Sequence, residues 1–275
     1  MPNAQCPMPQ IMTNPNSLKA IAVFDIDGVI RDVSGSYRRA IADTVEYFTN
    51  QAYRPTPIDI DQLKSEGVWN NDWEASQELT YRYFESQGQS RAQIQLDYNS
   101  IVAFFQSRYR GTDPHNFTGY ICDEPLLLQS SYLEQLTQAK IAWGFFSGAT
   151  RGSANYILEK RLGLKAPVLI AMEDAPGKPD PTGLFATVEI LENGSENLAP
   201  VFYVGDTVAD MYTVTKARDL QPQRIWIGVG VLPPHVQETA ARRDAYAETL
   251  RQAGAAVVFS NVQELTSGKI AELLG

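Results

Sequence analysis

Six short apolar runs, at residues 21–24, 141–146, 168–171, 201–204, 224–229 and 255–259, punctuate this chain of 275 residues, each followed by a small or polar turn and a stretch of helical period. Runs this short, without polar alternation, read as strands covered on both faces. Strands separated by helical stretches are joined by crossovers and lie parallel, with right-handed connections. The pattern predicts an α/β fold built on a doubly wound parallel sheet. Its helices are expected over residues 131–140, 151–162, 182–191, 208–217 and 234–253.

One interval breaks the rhythm. Residues 36–118 hold no convincing β-run, whereas Ala40, Ile41, Thr44, Val45 and Phe48 share one helical stripe and Ile101, Val102, Phe105 and Tyr109 another. An all-helical insertion between the first two core strands is therefore expected, hinged near residues 33–36 and 110–116, where Gly, Ser, Asp and Pro gather. Its aromatic residues read as core rather than binding surface. The predicted organisation is a core of residues 17–35 and 119–275, a helical cap of residues 36–118, and an irregular, Pro-rich lead-in over residues 1–16.

A formal net charge of −9 argues against nucleic acid or an anionic membrane as the main partner, since both call for clustered Lys and Arg. Cys6 and Cys122 are too few for a disulfide framework or a Cys-rich zinc site and fit a reducing cytoplasm. No apolar stretch approaches the roughly 18–20 residues that span a bilayer, and the lead-in lacks the basic and apolar regions of a signal peptide. A cytoplasmic location is expected, with the oligomeric state left open. His115 and His235 are isolated and show no metal-ligand spacing.

The chemistry concentrates where strands end. Asp25-Ile26-Asp27-Gly28-Val29 follows the first apolar run directly, so two carboxylates sit at the carboxyl end of a buried strand, where open α/β sheets keep their sites. Like charges brought together there raise a pKa unless a cation compensates. Taken alone, the segment also reads as an acidic turn. Three further signals occur in order at later strand ends. Phe145-Phe146-Ser147-Gly148-Ala149-Thr150 offers a hydroxyl and backbone N–H groups at a helix start, a natural anion site. Gly177-Lys178-Pro179-Asp180-Pro181 presents one Lys in a stiff loop, and Tyr203-Val204-Gly205-Asp206-Thr207-Val208-Ala209-Asp210 supplies two more carboxylates.

Together these segments resemble the four motifs of the haloacid dehalogenase superfamily, over nearly the whole chain. The resemblance implies that Asp25 is a nucleophile that forms an aspartyl-phosphate and that Asp27 is the general acid and base. It implies Mg²⁺ held by Asp25, the Asp27 carbonyl and Asp206, with Asp210 either a ligand or a residue that orients one. Ser147, the Gly148 N–H and Lys178 would receive phosphoryl oxygens. An acid at Asp27 favours phosphate ester chemistry over dehalogenation or phosphonate cleavage. The place of the insertion is similar to phosphatases with a helical cap, such as phosphoglycolate phosphatase and β-phosphoglucomutase. Within the superfamily, Asp32-Val33-Ser34 with Ser36-Tyr37-Arg38, and Asn70-Asn71-Asp72-Trp73, are similar to one particular branch; Val29 departs from the Thr common after the motif Gly.

The reaction implied is hydrolysis of a small phosphorylated metabolite, a sugar or organic acid phosphate. A phosphomutase using the same residues is the alternative, and a silent binding protein is disfavoured because no motif residue is missing. Specificity is expected from residues that close over the core. Asn71, Asp72 and Trp73 are candidates, although Asn71 or Asp72 also reads as the cap of a helix over residues 73–82. Arg31, Tyr37, Arg38 and the neighbouring Arg39 lie where the chain enters the insertion and are candidates to meet a second anionic group.

Overall fold

The computed structural model describes residues 18–69, 71–113, 116–194 and 198–275; the expected lead-in, Cys6, Asn70 and His115 lie outside the described residues. Six parallel strands form one sheet in the order β3-β2-β1-β4-β5-β6. They are β1 (Ala20–Phe24), β2 (Ile141–Phe146), β3 (Leu169–Ile170), β4 (Val201–Gly205), β5 (Trp226–Val231) and β6 (Val257–Phe259). The alternation of β1 shows why the sheet is covered on both sides. Ala20, Ala22 and Phe24 join a core cluster with Leu133 and Leu136, while Ile21 and Val23 join another with Leu184, Val188 and Val214. Each large side chain buried this way contributes roughly 1.5–3 kcal/mol.

Four helices lie between β1 and β2 and form the insertion: α1 (Tyr37–Phe48), α2 (Pro57–Ser65), α3 (Asp72–Ser86) and α4 (Tyr98–Tyr109). Helix α1 packs on α3 and α4 through its buried Ala40, Ile41, Thr44 and Val45, as the stripe predicts. Where the chain enters and leaves the insertion, its two connections pair: Asp32 N donates to Pro125 O and Leu127 N to Ile30 O, both at 2.8 Å.

The core helices are α5 (Ser130–Gln138), α6 (Arg151–Asn155), α7 (Thr182–Glu192), α8 (Val208–Leu220), α9 (Ala240–Gln252) and α10 (Ser267–Leu274). The expected helix over residues 151–162 widens into a π-helical turn, Tyr156–Arg161, after α6. The expected helix over residues 234–253 is divided. A short 3₁₀ turn, Pro234–Val236, precedes α9, whose Thr239 caps the new start by accepting from Arg242 N. Pro234 opens the short turn, where a missing N–H costs nothing, and the break itself falls between Val236 and the new cap at Thr239. Helix α10, which the strand-helix rhythm did not announce, is short and buries Ile270. Among the described residues, no helix is long and apolar enough to cross a membrane.

The chain leaves β1 toward β2 and β3, then returns across it to β4, β5 and β6. That reversal opens a crevice beyond the carboxyl ends of β1 and β4, where ligands bind in sheets of this kind.

Candidate active site

Asp25 extends the β1 ladder, its N–H donating to Val204 O at 2.8 Å, and the chain then turns sharply through Gly28 at φ +75°. A β-carbon at Gly28 would stand 2.0 Å from Asp206 Oδ2, so only glycine lets the turn pass the end of β4. Asp25 and Asp206 are thereby buried side by side, and Asp210, on the first turn of α8, is fully buried behind them.

Lys178 Nζ reaches into this acidic group, 2.9 Å from Asp25 Oδ2 and 2.6 Å from Asp210 Oδ1. Asp210 Oδ1 also accepts from Tyr203 OH at 3.0 Å, and Oδ2 from the Thr207 N–H at 3.0 Å and hydroxyl at 2.6 Å. Both oxygens of Asp210 are thus engaged in holding Lys178 and the start of α8. Burial pushes the Asp25 carboxyl up to about 6 against the pull of Lys178, with Asp210 and Asp27 adding to the rise. Burial, then Asp210 and Asp25, drive Asp206 well above the usual carboxylate range. Burial opposes ionisation of Asp210 too, yet Lys178 and the Thr207 hydrogen bonds outweigh it and hold that carboxyl low.

One lysine does not balance these carboxylates. Asp25, Asp206 and Asp210 each present an oxygen within 4.8 Å of the others, and the buried Asp25 Oδ1 has no hydrogen-bond partner. An all-oxygen donor set with an orphaned buried acceptor and surplus negative charge suits a hard divalent cation.

Across the crevice, Ser147 is 1% exposed at the end of β2, its N–H donating to Ile170 O at 3.0 Å. Its Oγ accepts from Ala149 N at 3.1 Å, which leaves the hydroxyl proton to point elsewhere. Ser147, Gly148, Lys178, Asp25, Asp27 and Asp206 line one cavity of about 420 Å³, whose far wall comes from the insertion: Tyr37, Lys64, Asn71, Asp72, Trp73, Phe105, Gln106 and Tyr109.

Asn71 is placed where it can serve as a helix cap and also face the cavity. It caps α3, its Oδ1 accepting from Trp73 N at 2.9 Å, and it borders the cavity. Asp72 and Trp73 begin that helix and border the cavity too. Arg38 is placed elsewhere: it pairs with Asp61 and lies 2.9 Å from His235 Nε2, between the insertion and the core. Arg39 is exposed and stacks on the Tyr120 ring at 4.1 Å. Arg31 borders the cavity but is fully buried, its guanidinium paired with Asp27 and Glu124 rather than offered to a second anionic group.

Two further residues, one on the cavity wall and one behind Arg31, carry no signal in the sequence. Lys64 lies on α2, 2.5 Å from Asp72 and over the Tyr37 ring. Glu124 is 2% exposed in the return connection, and burial pushes its carboxyl up to about 7 although Arg31 opposes the rise. Neither belongs to a motif; only folding brings them to the site.

A family profile described as haloacid dehalogenase-like hydrolase matches residues 19–217. A protein of Phytophthora nicotianae named imidazoleglycerol-phosphate dehydratase is 30% identical over 246 residues, covering 86% of this chain and 49% of its own length. The chain therefore spans about half of that relative. Among solved structures, a hydrolase from Pseudomonas syringae superposes with a TM-score of 0.62 at 18% identity, covering 92% of this chain and 98% of its own. A phosphatase from Thermococcus thioreducens gives 0.55 at 24% identity, covering 72% and 88%. At these identities the two structures speak for the fold.

Proposed function

Because the chain belongs to the haloacid dehalogenase-like hydrolases, we propose that it is a Mg²⁺-dependent phosphatase that hydrolyses a small phosphorylated metabolite through an aspartyl-phosphate on Asp25. The observation that carries this reading is the pairing of a buried carboxylate, Asp25, with Lys178 at one end of a cavity whose other wall is lined by residues of the helical insertion.

Phosphoryl transfer asks the protein for an in-line nucleophile and for charge to meet the equatorial oxygens. Asp25 supplies the nucleophile. The Ser147 hydroxyl, the Gly148 N–H and Lys178 take the oxygens, and Lys178 is held in place by Asp210. Asp27 protonates the leaving oxygen and, with the alcohol gone, takes a proton from the water that attacks the aspartyl-phosphate. A divalent cation held by Asp25, Asp206 and the Asp27 carbonyl would offset the charge of the carboxylates and of the incoming phosphate. The wall from α3 and α4, which brings Trp73, Phe105 and Tyr109 to the cavity, would lower the local polarity around a bound substrate and so strengthen these interactions.

The name of the Phytophthora relative points to a phosphate ester as the kind of molecule handled. Its dehydration chemistry is not carried over, since the chain spans only about half of that relative. A screen of sugar phosphates, organic acid phosphates and an imidazole-bearing alkyl phosphate, with Mg²⁺ and with EDTA, tests the reading. Phosphate release that requires the metal supports it. Interconversion of esters without release would replace it with a phosphomutase, and inactivity on every ester in both conditions would sink it.

A further inference from the structure

We infer that Arg31 is a positioning residue that aims the Asp27 carboxylate at the reacting centre, and that Glu124 holds Arg31 to the core for this purpose. The inference rests on the role proposed above for Asp27.

Arg31 is 0% exposed. Its Nε and Nη2 lie 2.7 and 2.6 Å from the same oxygen of Asp27, Oδ1, and Nη1 donates to Glu124 Oε2 at 2.7 Å. The Tyr109 ring of α4 covers the guanidinium, 5.9 Å from its centroid. Glu124 is itself anchored twice. The Ser36 hydroxyl donates to its Oε1, and its carbonyl accepts from Arg161 Nη1 at 2.7 Å, on the π-helical turn of the core. The backbone is tied as well, with Gly28 N donating to Arg31 O at 2.9 Å.

Stability does not account for this arrangement. Burying a guanidinium and a carboxylate costs several kcal/mol per ion, and a well-packed apolar pair of similar volume commonly stabilises a fold as much or more. What the charges add is direction. One oxygen of Asp27 is gripped while its side chain stays 39% exposed on the cavity, so the carboxylate cannot swing away from it. Because Glu124 lies in the return connection and Ser36 in the entry connection, the grip sits at the root of the insertion, where its two ends meet. A catalytic acid held in one orientation converts chance encounter into a near-attack geometry, which is where such positioning gains rate.

The test compares Arg31→Met, Arg31→Lys and Glu124→Gln with the wild type on two esters in Mg²⁺. Glycerol 2-phosphate has a poor leaving group that needs the acid; p-nitrophenyl phosphate has a good one that does not. Arg31→Met is expected to lower kcat on glycerol 2-phosphate by about 100-fold, at the low end for loss of general acid catalysis, with KM within about twofold. On p-nitrophenyl phosphate the same variant should still release a stoichiometric burst of nitrophenol, since only the slower hydrolysis of the phospho-enzyme then depends on Asp27. Arg31→Lys should restore part of kcat, and Glu124→Gln should fall between. If Arg31→Met does not fold, the other two variants carry the same comparison. Unchanged kcat on glycerol 2-phosphate, or a rise in KM with kcat intact, would overturn the positioning role, the second by making Arg31 a substrate contact. A wild type inactive on both esters would instead remove the phosphatase reading, and this inference with it.

Discussion

Lys178 and Asp25 make opposite predictions although they touch. Asp25→Asn removes one of three clustered carboxylates while preserving volume, so turnover should vanish while the melting temperature holds or rises. Lys178→Met leaves Asp210 buried beside Asp25 without its cation. Removing one partner of a buried pair costs about 3–5 kcal/mol, or roughly 10 °C in melting for a chain of this size. Calorimetry on the two variants checks this, and equal destabilisation would mean that Lys178 is not the counter-ion of the cluster. Gly28→Ala should damage the site by another route, since its methyl group would drive into Asp206 Oδ2 and the backbone there has φ +75°. Weakened metal-dependent activity with little change at saturating Mg²⁺ is expected, and an activity profile identical to the wild type would contradict the clash.

Helices α3 and α4 place the cavity wall, and their contribution should be visible in selectivity. Trp73→Ala and Asn71→Ala are expected to reorder preferences among phosphate esters more than they change hydrolysis of p-nitrophenyl phosphate, because on the proposed reading the wall would meet the leaving group whereas Asp25 and Lys178 would meet the phosphoryl group of every substrate. Asn71→Ala should also cost about 1 kcal/mol through the lost cap of α3. Equal losses on all esters with unchanged melting would leave capping as the whole role of Asn71. Elements of this kind differ in how plainly they are written in the chain. The strands were legible because burial on both faces leaves a short unbroken apolar run, as in β1, and the helical insertion because burial on one face imposes a helical period, as in α1. Asp25, Ser147, Lys178 and Asp206 were legible because each sits in a local strand-to-turn pattern. Lys64, Glu124 and the pairing of Arg31 were not, since each depends on a contact between segments far apart in sequence. The restart at α9 was available in Thr239, a favourable capping residue, but the apolar spacing around it masked the break.

At the scale of the molecule, the insertion is fastened to the core by polar contacts at its rim. Asp61 of α2 meets Arg38 and, at 2.5 Å, Arg242 of α9; Arg38 meets His235; and Arg110, at the end of α4, reaches Ser153 Oγ at 3.0 Å. Since Arg38 donates, His235 Nε2 accepts and the ring is neutral. Burial, and then Arg38, depress its pKa from 6.5 to about 4. A depressed histidine gives stability that is whole above pH 6.5 and is lost as pH falls toward 4. Urea unfolding of the wild type at pH 7.5 and pH 5 should therefore differ by about 1–2 kcal/mol more than in His235→Gln, whose side chain accepts without titrating; equal differences would mean that His235 is free to protonate. Metal should tighten the whole fold. Mg²⁺ at about 100 times its dissociation constant adds roughly 2.7 kcal/mol, so EDTA should lower the melting temperature of the wild type and leave Asp206→Asn unmoved. The sheet order also has a consequence in time. Strand β1 is flanked by β2 and β4, so on the ribosome it is made before both neighbours and waits for them. At ordinary synthesis rates, roughly 10–35 s separate the emergence of β1 from that of β4. The helices of the insertion, α1, α3 and α4, pack mainly on one another and are all made before β2, so they wait less. The nascent chain thus carries an apolar strand with an open edge until β4 is made, and over that interval the edge is exposed to pairing with other chains.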